Sequence, residues 1–402
     1  MPDASLTARP VRIRHPAPFP SSFRHLQVAM PDATGVDAHA VVVDLAREVD
    51  HASIDAAVRR HWWSADHGQL EQRRASAHAL AAEGAAVLRP SVLGWVDPAE
   101  RAEPGFPLGA ADDGAERLWV RARRDGPTGS AEGWMPYTAA IARPADARPD
   151  EPLAHPPLLG GFGAGASAAH ARRNAERSVV VDDALWCWWT GLAPAASLDP
   201  SGEVRELWAD AELDLTLRRL DRGVLGPVTL AAVDDGRILT VGGGYGFDAS
   251  GQRAAIARAL WQLTIARSLD DPRSTLHALG VPGVVPHRAD RRYAPGDAHG
   301  RRRLLDPLAH VQLALDPRVR TALRGRLDDL RPGPAAVSRA TETWTVDLAR
   351  DGRVVRVVTP AAIPLPLGAF RLDPALVAAA ARRPGANPVT AAAAAQAPFP
   401  GW

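Results

Sequence analysis

The stretch Gly160–Trp189, "GGFGAGASAAHARRNAERSVVVDDALWCWW", carries the reading of the chain. It opens on glycines, offers Ser167 as a helix cap, continues in a helix-like run and ends in an acidic pair and a tryptophan cluster. That approach suits the entrance to an active site. Yet between Arg177 and Asp182 stand only Ser178, Val179, Val180 and Val181, with no carboxylate, amide or imidazole for chemistry. Read alone, three consecutive β-branched residues favour a strand.

The 402 residues, 46% of them hydrophobic, suffice for one large core or two ordinary ones. A formal net charge of +1 gives no global attraction to nucleic acid or to an anionic membrane, so neither is expected as a partner. No apolar run approaches the ~20 residues that span a bilayer. The N-terminus lacks the apolar core of a secretory signal, and a cytoplasmic address is expected. The lone Cys187 excludes an internal disulfide and a cysteine-built zinc site. The chain contains no lysine, which excludes a Walker-type phosphate loop and lysine Schiff-base chemistry. A GC-rich coding bias accounts for that absence together with the abundant Ala, Gly and Pro.

Residues 1–22 read as a Pro/Arg-rich arm, 23–383 as one domain of two similar halves meeting near 150–157, and 384–402 as a Pro/Ala-rich tail. Strands are expected in the Arg24–Val43 region and at Arg117–Arg124, and a helix over Ser64–Leu88. Val228–Phe247 reads as two strands turning at Asp234–Gly236, followed by an amphipathic helix in which Ala255, Ala259, Leu260, Leu263 and Ile265 share a side. A further helical segment, "DPLAHVQLALDPRVRTALRGRLDDL", precedes a second hairpin turning at Asp351–Gly352. The fold class is α+β, with mixed or antiparallel sheets covered by helices.

The order of these segments resembles the YcaO superfamily, specifically the azoline-forming cyclodehydratases of ribosomal peptides, from about residue 60 to the C-terminus. Four stretches carry the resemblance. "HGQLEQRRASAHALAAEG" is similar to S-A-x-x-E-x-x-E-R, and Gly160–Trp189 to a glycine-rich segment followed by E-x-x-E-R-D-A and a tryptophan pair. "GYGFDASGQRAAIARALWQLTI" is similar to a Gly-rich turn, an Asp and R-A-L-x-E-x-x-Q; the end, through "QAPFP", is similar to a late strand and a Pro-rich terminus. The resemblance implies a helical reading for Val179–Val181. It also implies a fold whose active members hold ATP through magnesium ions on helix carboxylates and phosphorylate a backbone amide.

Aligned residue by residue, the family's metal-facing set is nearly gone. Ser76 and Glu83 keep their identities, but Leu80 replaces a glutamate. The two glutamates of the second helix fall on Ser178 and Val181, and Gln262 and Ile265 stand at the Glu and Gln positions of the third. Leu80, Val181 and Ile265 are expected to pack together and fill the hole. The reading is thus a degenerate pseudoenzyme with no catalytic residue, metal or cofactor. The active alternative, a cyclodehydratase or thioamide-forming enzyme with ATP and Mg, would draw on Glu83, Asp182, Asp183, Gln262 and Asp248. Expected partners are an active YcaO-type or other biosynthetic enzyme, a ThiF-like leader-binding protein and the precursor peptide, with a homodimer or heterodimer as the assembly.

Plainer readings stand beside these. Glu83 also reads as a helix-surface carboxylate, and "GGFGAG" and "GGGYG" as tight turns that let a helix pack. Trp186, Trp188 and Trp189 read as core, Cys187 as an inert buried group. Of Asp182 and Asp183, one is expected to pair with an arginine and the other to be solvated. Arg172–Arg173 and Arg301–Arg303 read as solvated faces, or as guides for an acidic leader. The tail keeps Pro398 and Pro400 but runs on to Trp402, which disfavours a terminus fitted to a catalytic pocket.

Overall fold

Residues 228–245 alternate apolar side chains to both faces, the pattern of a strand pair buried on two sides. In the computed structural model they form β11 (Val228–Asp234) and β12 (Leu239–Tyr245), antiparallel, with Ala231 opposite Gly242. The structure describes residues 12–14, 23–29, 37–43, 63–64, 92–96, 117–140, 160–164, 167–209, 211–271, 273, 310–331, 333–340, 342–347, 354–365, 374–387 and 399–400.

Three antiparallel sheets organise these residues. The first joins β1 (Arg12–Arg14), β2 (Phe23–Ala29), β3 (Asp37–Val43) and β4 (Trp63–Ser64) in sequence order. Ser64, expected to begin a helix, thus ends a strand, and the rest of that expected helix lies outside the described residues. The second, larger sheet runs β5 (Val92–Val96), β6 (Arg117–Gly126), β13 (Thr343–Asp347), β14 (Val354–Val358) and β8 (Phe162–Ala164), with β7 (Gly129–Pro136) folded back on β6. The third follows the order β12, β11, β10 (Asp214–Leu220) and β9 (Ala196–Ser197).

Helix α1 (Ala168–Trp189) starts at Ser167, whose side chain accepts the His170 N–H. Its first half packs Ala171 and Ala175 against Val355 and Val357 of β14. Its second half buries Val181, Leu185 and the tryptophans in the main core, which it shares with Leu230 and Val241. Val179–Val181 are therefore helical despite their propensity, because burial against two sheets outweighs the χ1 cost of β-branching. After the short α2 (Gly202–Trp208), α3 (Ala249–Asp270) covers the opposite face of β12 and forms a second apolar cluster with Ala231 and Val233. Helices α4 (Pro317–Asp328) and α5 (Pro374–Ala381) add Leu323 and Val377 to the α1 side.

The run Gly242–Gly244 is a strand, not the expected turn. A Cβ on Gly243 would lie 2.6 Å from Val181 Cγ1, and one on Gly244 2.8 Å from the Ala255 nitrogen. Absent side chains thus let α1 and α3 close on the two faces of one strand. No helix among the described residues is long and apolar enough to cross a membrane.

Candidate functional site

Two of the positions that the family resemblance assigns to metal binding, Ser178 and Val181, lie on α1 where it passes between β8 and β12. Ser76, Leu80 and Glu83 fall outside the described residues, as do Arg301–Arg303, Pro398 and Trp402. Ser178 sits beside the β8 entrance, and its hydroxyl accepts the Gly161 N–H at 3.4 Å. Val181 is 2% exposed and packs on Gly243.

Val181 and Ile265 do not pack against each other as expected. Val181 belongs to the core on the α1 side and Ile265 to the cluster on the α3 side. The alternation of β12 explains the separation, since Gly243 faces α1 while Gly242 and Gly244 face α3. Gln262 is buried on α3 at 2% exposure. Asp248 is the N-cap of α3, and its carboxylate accepts the Gly251 N–H at 2.8 Å.

Both residues of the acidic pair are buried, so the expected solvated partner is absent. Asp183 is fully enclosed: Oδ1 accepts the Ile363 N–H at 2.7 Å and Arg383 Nη2 at 2.9 Å, while Oδ2 accepts Arg383 Nη1 at 2.7 Å. Burial pushes its carboxyl above the usual range, and the Arg383 guanidinium pulls it back. Arg383 also reaches Cys187 Sγ at 3.7 Å and the carbonyl oxygens of Gly223 and Ala361. Burial likewise drives the Cys187 thiol well up, which leaves it protonated and inert.

Asp182, 8% exposed, lies against Gly160, where any side chain would collide with its carboxylate. Arg356 of β14 donates to the Gly160 carbonyl, which brings a guanidinium to the same turn. Burial lowers Arg356 to about 9, opposed by the charge of Asp182. Arg258 of α3 is lowered by burial as well, again opposed by Asp182. The carboxylate at the seam thus stands in the field of two cations.

Among the described residues, these donors are not the oxygen set that a magnesium–nucleotide needs. Hard divalent ions require converging oxygen ligands. Here the oxygen of Ser178 accepts a backbone N–H, Val181 offers none, Asp183 is bonded within the core and Asp182 faces arginines. Among the described residues no group of three His, Cys, Asp or Glu could hold a metal ion.

Several shaping residues escaped the sequence reading. Phe399 is fully buried, with its ring edge-on to Trp189 at 6.5 Å and its carbonyl 3.1 Å from His310 Nδ1. Its apolar flank in a Pro/Ala-rich tail was the available signal. Arg172, expected at the surface, is turned to Asp125 and Glu176, while Arg173 and Arg177 remain exposed.

No family model and no curated protein sequence matches the chain. Among solved structures, the chain is similar to a heterocyclase in complex with substrate and cofactor, at TM-score 0.50 and 14% identity over 84% of this chain and 50% of the other. The chain therefore spans half the length of that heterocyclase. The fold is YcaO-like. Two further similar structures are YcaO from Methanopyrus kandleri bound with AMPPCP and Mg2+ (TM-score 0.47, 17% identity, 84% of this chain and 85% of that) and the E. coli microcin synthetase McbBCD complex (0.46, 12%, 90% of each). Helix α1 is the element on which the sequence resemblance places two of the family's glutamate positions, here Ser178 and Val181.

Proposed function

We propose that this YcaO-like protein serves in the biosynthesis of a ribosomally made, post-translationally modified peptide as a catalytically degenerate accessory subunit. It holds a partner enzyme or the precursor peptide and does not turn over ATP. The observation that carries the reading is the occupation of the α1 seam. Val181 fills it with methyl groups against Gly243, Ser178 caps the Gly161 N–H, and Asp182 is set among cations. A triphosphate brings magnesium, and magnesium needs carboxylates that these positions lack. The shared fold with a heterocyclase that takes a substrate and a cofactor supports the peptide-modifying context. A pseudoenzyme on such a scaffold supplies interface and stability without chemistry. The partners proposed are an active YcaO-type enzyme, a ThiF-like leader-binding protein and the precursor. Isothermal titration calorimetry of the purified chain with ATP and Mg2+ is expected to give no binding heat. Micromolar affinity would overturn the reading and restore the catalytic alternative.

A further inference from the structure

Beside the seam, α1 presents a different chemistry to solvent. Arg173 and Arg177 are both exposed and stand one turn apart, and Val180 continues the same face at half burial. Arg172, on the neighbouring face, is satisfied by Asp125 and Glu176, whereas neither Arg173 nor Arg177 takes part in an ion pair among the described residues. Arg177 lies over the ring of Tyr245, 5.4 Å from its centroid, and Tyr245 is 39% exposed at the end of β12. Val180 and Tyr245 meet above Gly226. Two residues on, Arg219 lies over Phe247, 4.9 Å from its ring centroid, while its guanidinium is held by Asp221. The result is a ridge in which guanidinium groups lie over aromatic rings.

A guanidinium held over an aromatic ring, as Arg177 is over Tyr245, is partly positioned already and loses little freedom when it binds a carboxylate. Arginines at i and i+4 of a helix are separated by about 6 Å along the axis. Same-face residues of an extended peptide repeat at about 6.7 Å. Carboxylates on alternate residues of an extended chain therefore match the Arg173–Arg177 pair, and an apolar side chain between or beside them meets Tyr245 and Val180. The geometry points to this ridge as a docking surface for an acidic, extended peptide segment. The near-neutral whole molecule argues for a local match rather than general polyanion binding.

This inference rests on the peptide-handling reading above but fails separately from it. Nucleotide binding would defeat that reading and leave the ridge untouched. The test is fluorescence anisotropy of the full chain with a labelled decapeptide bearing glutamate at alternate positions and one leucine, against its glutamine counterpart. The glutamate peptide is expected to bind at least tenfold more tightly, and to weaken as salt rises. Arg173→Glu and Arg177→Glu should each weaken it about tenfold, Arg177→Gln less, with Arg205→Glu on α2 as an unaffected charge control. Unchanged thermal melts would show that the exposed substitutions leave the fold intact. Equal binding of the two peptides, or full binding by the reversed-charge variants, would overturn the inference. Equal competition by a single-stranded oligonucleotide of the same charge would overturn it as well, since that marks a mere polyanion patch.

Discussion

Asp183 and Arg383 lie 200 positions apart in sequence yet form a buried bidentate pair. Removing one partner leaves an uncompensated charge in the core, a loss of about 3–5 kcal/mol. Asp183→Ala and Arg383→Ala should each show it in urea denaturation, and the paired replacement Asp183→Leu with Arg383→Met should cost much less than the two singles together. Val181→Glu is expected to destabilise by a similar amount, because its carboxylate would be forced against Gly243 in the core. Recovery of magnesium binding in a stable Val181→Glu protein would contradict the account of the seam. At this scale the sequence was a partial guide. The absence of glutamates at Ser178 and Val181 was plain in it. The partner of Asp183 was not, because no local pattern encodes a contact across so many residues.

The β11–β12 hairpin shows what is legible in an element and what is not. Its turn residues announced it: Asp234 accepts the Gly236 N–H at 2.8 Å, and Asp235 accepts the Ile238 N–H at 2.6 Å. Burial raises both carboxyls, but hydrogen bonds from Arg324 and Arg320 to Asp234, and from Ile238 and Arg267 to Asp235, outweigh it and hold them below the usual value of 3.8. A carboxylate depressed in the folded state stabilises above its unfolded value and loses that contribution as pH falls through the folded one. Stability should therefore fall below about pH 3.8. Asp234→Asn should cost about 1–2 kcal/mol at pH 7 and flatten that acid dependence, as followed by thermal melts across pH 2–7. Elsewhere the local signals misled. Three valines read as strand and the glycine run as turn, because both are decided by packing from above and below, which one-dimensional propensity omits. The hairpin partner β7 was missed although "GPTG" punctuates its turn.

At the scale of the molecule, the strand–helix grammar disclosed the α+β class, but not how its parts interlock. The large sheet takes β5, β6 and β7 from before residue 150 and β8, β13 and β14 from after it, with Thr343 facing Asp125 across the join. Fragments 1–157 and 158–402 are accordingly expected to be insoluble or unfolded apart, as circular dichroism would show, and to regain the sheet only when co-expressed. Within the tail, Phe399 packs edge-on against Trp189 of α1. Phe399→Ala should cost about 3–5 kcal/mol, since it empties a fully enclosed aromatic site beside Trp189. A melting temperature unaltered by that change would show the ring to be dispensable. Helix α1 matters most for the whole, because one half of it supports the large sheet and the other half the β9–β12 sheet. A beam carrying two floors cannot sag in the middle without dropping both. Amide hydrogens across residues 175–185 should then exchange only through complete opening, and the face this helix turns to solvent is a rigid keel instead of a jaw.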